Sequence, residues 1–103
     1  MVEKKVWIKM HDDSRRIAAV CDFDLIGKTF EEGKLQLKVN EHFYKGKEYD
    51  ELKAIKVLNN AKMDDACFNL VGEMAVDLGV KIGLIDKTHV IRIQGIPHAL
   101  ALL

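Results

Sequence analysis

Two helical periods in succession set what this chain can fold into. From Tyr49 to about Ala61, the residues Ala54, Ile55, Val57, Leu58 and Ala61 fall on one arc, and Tyr49, Lys53, Lys56 and Asn60 fall on the opposite one. That spacing predicts a helix buried along one side. A second period starts near Asp64 or Asp65, either of which can cap a helix N-terminus. It carries Cys67, Leu70, Val71, Met74 and Leu78, widened by Phe68, Ala75 and Val76, and Gly79 fits its C-terminal cap. Its polar remainder recurs at every fourth residue: Asp65, Asn69, Glu73 and Asp77. Gly72 sits beside that line. A helix-interior glycine costs about 1 kcal/mol relative to alanine, which close approach of another backbone would offset.

Alternating segments flank this pair. Residues 3–10 place Val6, Ile8 and Met10 on one face and Lys5 and Lys9 on the other, the pattern of a strand with one wet face. The cluster His11-Asp12-Asp13-Ser14 reads as a turn, and Arg15 to Cys21 as a second strand completing an antiparallel hairpin. Ile17, Ala19 and Cys21 share one of its faces, Ala18 and Val20 the other, so both faces are expected to be covered. A bend follows from Asp22 to Lys28, with Leu25 and Ile26 beneath it. After a turn at Glu31-Glu32-Gly33, Leu35 to Val39 alternates strictly. His42 to Lys47 reads as a loop holding two adjacent aromatics.

Beyond the helices, Gly83 to Asp86 reconnects to a last strand, His89 to Ile93. Gly95-Ile96-Pro97-His98 reads as a tight loop with Ile96 held extended by the proline. Ala99 to Leu103 is an apolar tail that returns over the core. The order β-β-β-α-α-β predicts an α+β fold, a mainly antiparallel sheet of about four strands with two consecutive helices packed on one face. At 103 residues the chain is expected to be a single domain, residues 1–103.

Charge excludes some functions. Sixteen basic residues face sixteen acidic ones, so neither a basic nucleic-acid arm nor an acidic tail is present, and any nucleic-acid contact must come from a local patch. Cys21 and Cys67 stand far apart in no metal or disulfide spacing and read as free thiols in a reducing cytoplasm. No segment reads as a signal peptide or membrane span. Phosphate-loop and dinucleotide motifs are missing, and no cofactor is expected.

Several fragments acquire meaning through their order and spacing: Ala19-Val20-Cys21-Asp22, Leu25-Ile26-Gly27-Lys28, Phe43-Tyr44-Lys45-Gly46, Asn69-Leu70-Val71-Gly72-Glu73, Gly83-Leu84-Ile85 and Ile93-Gln94-Gly95-Ile96-Pro97-His98-Ala99. With them the chain resembles, over nearly its whole length, the archaeal domain-of-unknown-function family four-twenty-four. The resemblance implies a small cytoplasmic protein with no characterised enzymatic activity and with RNA binding as its suggested role. It brings no catalytic residues. Lys47 stands where the family pattern has an acidic residue, which makes this loop more basic.

Three sites follow as candidates. The first is a basic-aromatic surface of Tyr44, Lys45, Lys47, Tyr49, Lys53 and Lys56, offering lysines for phosphates and rings for bases; Glu48, Asp50 and Glu51 nearly cancel its charge, and the alternative is that Phe43 and Tyr44 plug the core while the lysines are a solvated face. The second is a polar cluster of Asn69, Gly72, Glu73, Gly95, Pro97 and His98. Its expected role is structural, with Asn69 and Glu73 bonding the backbone of the proline loop because buried polar groups must be paired. An enzyme using Cys21 or His98 with Glu73 is the competing reading. The third is metal binding by Asp65, Asn69, Glu73 and His98, which no ligand motif supports. The function expected is a binding module for RNA or a ribonucleoprotein partner in translation, as a monomer or weak homodimer, with a small Cys/His/Glu enzyme or a structural interaction domain as alternatives.

Overall fold

Strands β1 (Val6–Asp12) and β2 (Arg16–Asp22) form the expected hairpin, with Val6 opposite Asp22 and Asp12 opposite Arg16. The computed structural model describes residues 4–102. Ala18, Ala19, Val20 and Cys21 of β2 are fully buried, so both faces are covered as the sequence suggested. The cause is central position. A strand β6 (Cys67–Val71) runs parallel to β2 on its far side, pairing Ile17 with Cys67 and Cys21 with Val71. Strand β8 (Ile96–Ala101) lies antiparallel to β6, and β7 (Ile91–Ile93) closes that edge. The other edge is β5 (Lys47–Tyr49), antiparallel to β1. The sheet order is β5-β1-β2-β6-β8-β7.

This corrects the expected architecture. The protein is α+β, but its main sheet has six strands and is mixed, a separate two-stranded ribbon accompanies it, and there are three α-helices among the described residues. The predicted second helix is overturned by β6. Asp64 and Asp65 end the first long helix, Asp65 in the left-handed region at φ 56°, and Cys67–Val71 is a strand. The error has a physical source. A strand covered on both faces is a continuous apolar run, which a helical wheel accommodates equally well. Four of the five β6 residues are buried.

Helix α2 (Glu51–Met63) matches its sequence pattern, burying Ala54, Leu58 and Ala61. Asp50 caps it by accepting from Lys53 N at 2.9 Å. Helix α3 (Glu73–Lys81) buries Ala75, Val76, Leu78 and Gly79. Gly79 is therefore interior rather than the C-terminal cap expected of it: a Cβ there would lie 2.5 Å from Leu70 Cδ1. Both helices pack on one sheet face against Val6, Ile8, Val20, Phe68 and Leu70.

The opposite face is covered by the ribbon β3 (Thr29–Glu32) and β4 (Leu35–Lys38), with the one-turn helix α1 (Glu41–Tyr44). Cys21, Val71, Leu25, Leu37, Val39 and Tyr44 form this second core. The last expected strand and the proline loop are both corrected by the β7–β8 hairpin. Ile93 faces Ile96 across Gln94 (φ 52°) and Gly95 (φ 79°), a two-residue turn whose positive φ values suit the twist of a hairpin. Pro97 is thus inside the sheet. Its missing N–H is tolerated because the Gly72 carbonyl across the ladder accepts from Val76 N at 3.0 Å, while Gly72 N still donates to Pro97 O at 2.9 Å.

Candidate functional site

The six residues of the sequence-derived basic-aromatic surface do not share one face. Tyr44 is 4% exposed, its hydroxyl donates to Asn69 Oδ1 at 2.7 Å, and burial pushes the phenol well above its ordinary pKa. That ring is core and has no face for a base. Tyr49 is half-buried against the helix-side core. Lys47, opposite Ile8, belongs to the same sheet face as Tyr49, while Lys45 reaches over the ring of Trp7 on the ribbon face, 5.6 Å from its centroid. Lys53 and Lys56 are on α2, both exposed. Edge strand β5 therefore separates Lys45 from the helix lysines.

The carboxylates expected to cancel these lysines are engaged elsewhere. Glu48 pairs with Lys5 at 3.6 Å, Glu51 with Lys81 at 2.6 Å, and Asp50 caps α2. Among the described residues no carboxylate lies within ion-pair distance of Lys45, Lys47, Lys53 or Lys56.

Sequence reasoning missed the aromatic residues that do meet Lys45. Trp7 stacks on Phe23 with centroids 4.9 Å apart and planes 12° apart, and its indole N–H donates to Phe23 O at 3.2 Å. Phe23 is 42% exposed. Two pleats along β1, His11 stacks on Phe43 at 4.6 Å. Between them Lys9 Nζ donates to His42 O at 2.6 Å, fastening α1 over the strand. The signal was available: strand alternation puts Trp7, Lys9 and His11 on one face.

Of the polar cluster, Gly72, Glu73, Gly95, Pro97 and His98 meet where β6 ends and β8 begins, while Asn69 stands in the middle of β6, and the bonds are not those expected. Neither Asn69 nor Glu73 bonds the proline segment directly. Asn69 turns to Tyr44. Glu73 Oε1 accepts from an Arg92 nitrogen at 2.8 Å, and the same nitrogen donates to Gly95 O at 3.0 Å. The ring of His98 bonds Leu70 O through Nδ1 at 3.0 Å. Gly72 contributes its backbone, and at φ 108°, ψ 161° it lets the chain turn from β6 straight into α3.

The group that organises this corner is Asp22, at the end of β2. Its carboxylate accepts from Ala75 N at 2.8 Å and Met74 N at 3.1 Å, capping α3 from another strand where an ordinary cap would be local. Burial pushes the Asp22 carboxyl above the usual range, against the pull of those two N–H groups. Because its folded pKa exceeds the unfolded one, the stability this proton contributes is fully present below pH 3.8 and is lost as pH rises through the folded value. The difference in urea midpoint between the wild type and Asp22→Asn should therefore favour the wild type most in acid and narrow toward neutrality.

No thiol-imidazole pair forms. Cys21 and His98 both neighbour Val71, one on β2 and one on β8, so two strand spacings, roughly 10 Å, separate them. Burial, with the nearby Asp22 and Asp24, pushes the Cys21 thiol up to about 12. A thiol so placed is a poor nucleophile. Cys21 and Cys67 are both free and buried, and neither should take up iodoacetamide at mildly alkaline pH until denaturant is added, when mass spectrometry should show both labelled. Rapid labelling of Cys21 in the native protein would restore the nucleophile reading.

The proposed metal ligands are dispersed as well: Asp65 lies in the turn after α2, Asn69 on β6, Glu73 on α3 and His98 on β8. Among the described residues no group of three or more His, Cys, Asp or Glu side chains is placed to hold a metal ion. None of their helices is long and apolar enough to cross a membrane.

No curated protein sequence matches the chain. Among solved structures it is similar to the crystal structure of an uncharacterized conserved protein from Methanopyrus kandleri, at 25% sequence identity and a TM-score of 0.82. The likeness covers 93% of this chain and 89% of that one. A family model described as "Protein of unknown function (DUF424)" matches residues 10–102, and the chain belongs to that family.

Proposed function

We propose that the chain is a single-domain cytoplasmic binding module whose ligand is single-stranded RNA, held at the β5 edge of the sheet. The observation that carries the reading is the Lys45 ammonium over Trp7, beside the half-exposed Phe23, on the same face of β1 as the His11–Phe43 pair. Rings offer bases a stacking surface, and cations free of carboxylate partners offer phosphates a counter-charge. A strand of RNA crossing the β5 edge meets Lys45, then Lys47, then Lys53 and Lys56. The rings take over the role that buried Tyr44 cannot fill. Free, buried Cys21 and Cys67 support a reducing compartment.

Trp7 is the chain's only tryptophan, so its fluorescence reports the site directly. Oligouridylate should quench it saturably at low salt, and the apparent affinity should fall steeply as salt rises. Lys45→Glu together with Lys47→Glu should weaken binding and flatten the slope of log affinity against log salt by roughly 0.7 for each phosphate that is no longer neutralised. Absence of salt-sensitive quenching with oligouridylate and with oligoadenylate would remove the RNA reading.

A further inference from the structure

An open groove of about 1050 Å³ runs between the first turns of α2 and α3, just beyond the end of β2. Four apolar residues line it, of which Leu78 is buried and the other three reach the surface. Phe23 is 42% exposed, Leu52 is 76% exposed, and Met74 is half-buried. Leu52 sits in the first turn of α2 and takes no part in either core, so nothing in the fold accounts for a leucine there. The surrounding charge is one-sided. Asp22, Asp24, Asp50, Glu51, Glu73 and Asp77 line the groove against Lys4 and Lys5, in a chain whose total charge is zero.

The chemistry of an occupant follows from these features. Both helix N-termini that open on the groove are already filled by carboxylates, Asp50 for α2 and Asp22 for α3, so an anionic ligand finds carboxylates where free N–H groups would have to be. The same wall already receives cations from its outer rim. Lys81 Nζ reaches Glu51 at 2.6 Å and Asp77 at 3.3 Å, and Arg92 reaches Glu73 at 2.8 Å. These pairs are half-exposed, and such pairs hold weakly enough to exchange partners. Asp24 is exposed and has no ion-pair partner among the described residues.

We infer that this groove docks a lysine- and arginine-rich peptide segment of a partner protein, its apolar side chains on Phe23, Leu52 and Met74 and its cations on Asp24, Asp50 and the α3 carboxylates. Charge complementarity selects this occupant over a nucleic acid, whose phosphates the same carboxylates repel. The groove shares Phe23 with the ring surface proposed for RNA, but its other apolar residues and its carboxylates lie apart from the β5-edge lysines and do not depend on the RNA reading.

The test uses fluorescence anisotropy of a fluorescein-labelled peptide of alternating lysine and leucine. A peptide of alternating glutamate and leucine is the control, and the full chain is the receptor. The basic peptide should bind saturably and the acidic one should not. Asp24→Lys combined with Leu52→Asp should weaken binding by at least about tenfold, with the thermal midpoint of the variant measured alongside. If that variant does not fold, Leu52→Ser alone should weaken it severalfold. Lys45→Glu, which acts on the RNA surface, should leave peptide binding unchanged. Equal binding of the two peptides, or groove variants that bind like the wild type, overturns the proposal. Displacement of the peptide by oligouridylate that persists in Lys45→Glu together with Lys47→Glu would place nucleic acid in the groove itself and overturn it too.

Discussion

Gly72→Ala should destabilise the protein by roughly 2–5 kcal/mol. Two independent costs add. The backbone at φ 108°, ψ 161° lies in a region that side-chain-bearing residues hardly occupy, at about 1–3 kcal/mol. The new Cβ would also sit 2.3 Å from Asp22 Cγ and 2.5 Å from Asp22 Oδ1, so the carboxylate must leave the N–H groups of Met74 and Ala75. Loss of a helix cap costs about 1–2 kcal/mol. For a chain of this size the sum should lower the thermal midpoint by roughly 10–30 °C. A double-mutant cycle separates the terms: Asp22→Ala should cost clearly less in the Gly72→Ala background than in the wild type, because the cap it removes is already broken. Additive costs would show that strain alone acts and that the carboxylate moves away without penalty.

That prediction turns on a feature the sequence displays and conceals at once. Gly72 is visible as a glycine that needs a reason, but the expected reason, another backbone against a helix interior, is not the one found: a side-chain carboxylate lies against it and its φ is positive, at the start of α3. The group itself, Asp22, lies fifty residues earlier in the chain and reaches α3 only because β2 and β6 are parallel neighbours. No local pattern encodes that pairing. The hairpin of β1 and β2 and the helix α2 were legible because β1 and α2 each show one wet face, so their apolar residues recur at a single period. β6 shows no wet face, and its apolar run fits a helix as well as a strand. The β7–β8 turn was hidden for a different reason: Gln94 at φ 52° occupies a place where asparagine or glycine is the usual signal.

The candidate RNA surface divides along the same line. Its lysines were legible as residue types, yet a strand as short as β5 gives no period, and only β5 decides that Lys45 and Lys47 fall on opposite faces. Tyr44 looked like a platform because it neighbours Lys45. Its partner Asn69 lies on β6, the element whose type the pattern concealed. The groove was invisible for want of sequence proximity, since its walls come from segments near residues 22, 50 and 73.

Phe68→Ala should cost about 3–5 kcal/mol, the usual range for deleting a buried aromatic ring. Phe68 is 1% exposed and heads the largest fully buried side chains. It stands on β6 between Ala18 of β2 and Ala101 of β8, where two alanines leave room for its ring and little else can fill the gap. The neighbouring strands are pinned by their own hydrogen bonds and cannot collapse into the space, which puts the cost toward the upper end. Leu52→Ala is the matched comparison. It removes a large apolar side chain as well, but one that is 76% exposed, and it should change stability by less than about 0.5 kcal/mol. Urea denaturation of the two variants with equal slopes should reproduce this contrast. A large loss for Leu52→Ala would mean that its side chain supports the fold, and the groove would lose the residue that most needs a partner to explain its exposure. A small loss for Phe68→Ala would mean that the central strand is not packed on the helix side as its register requires.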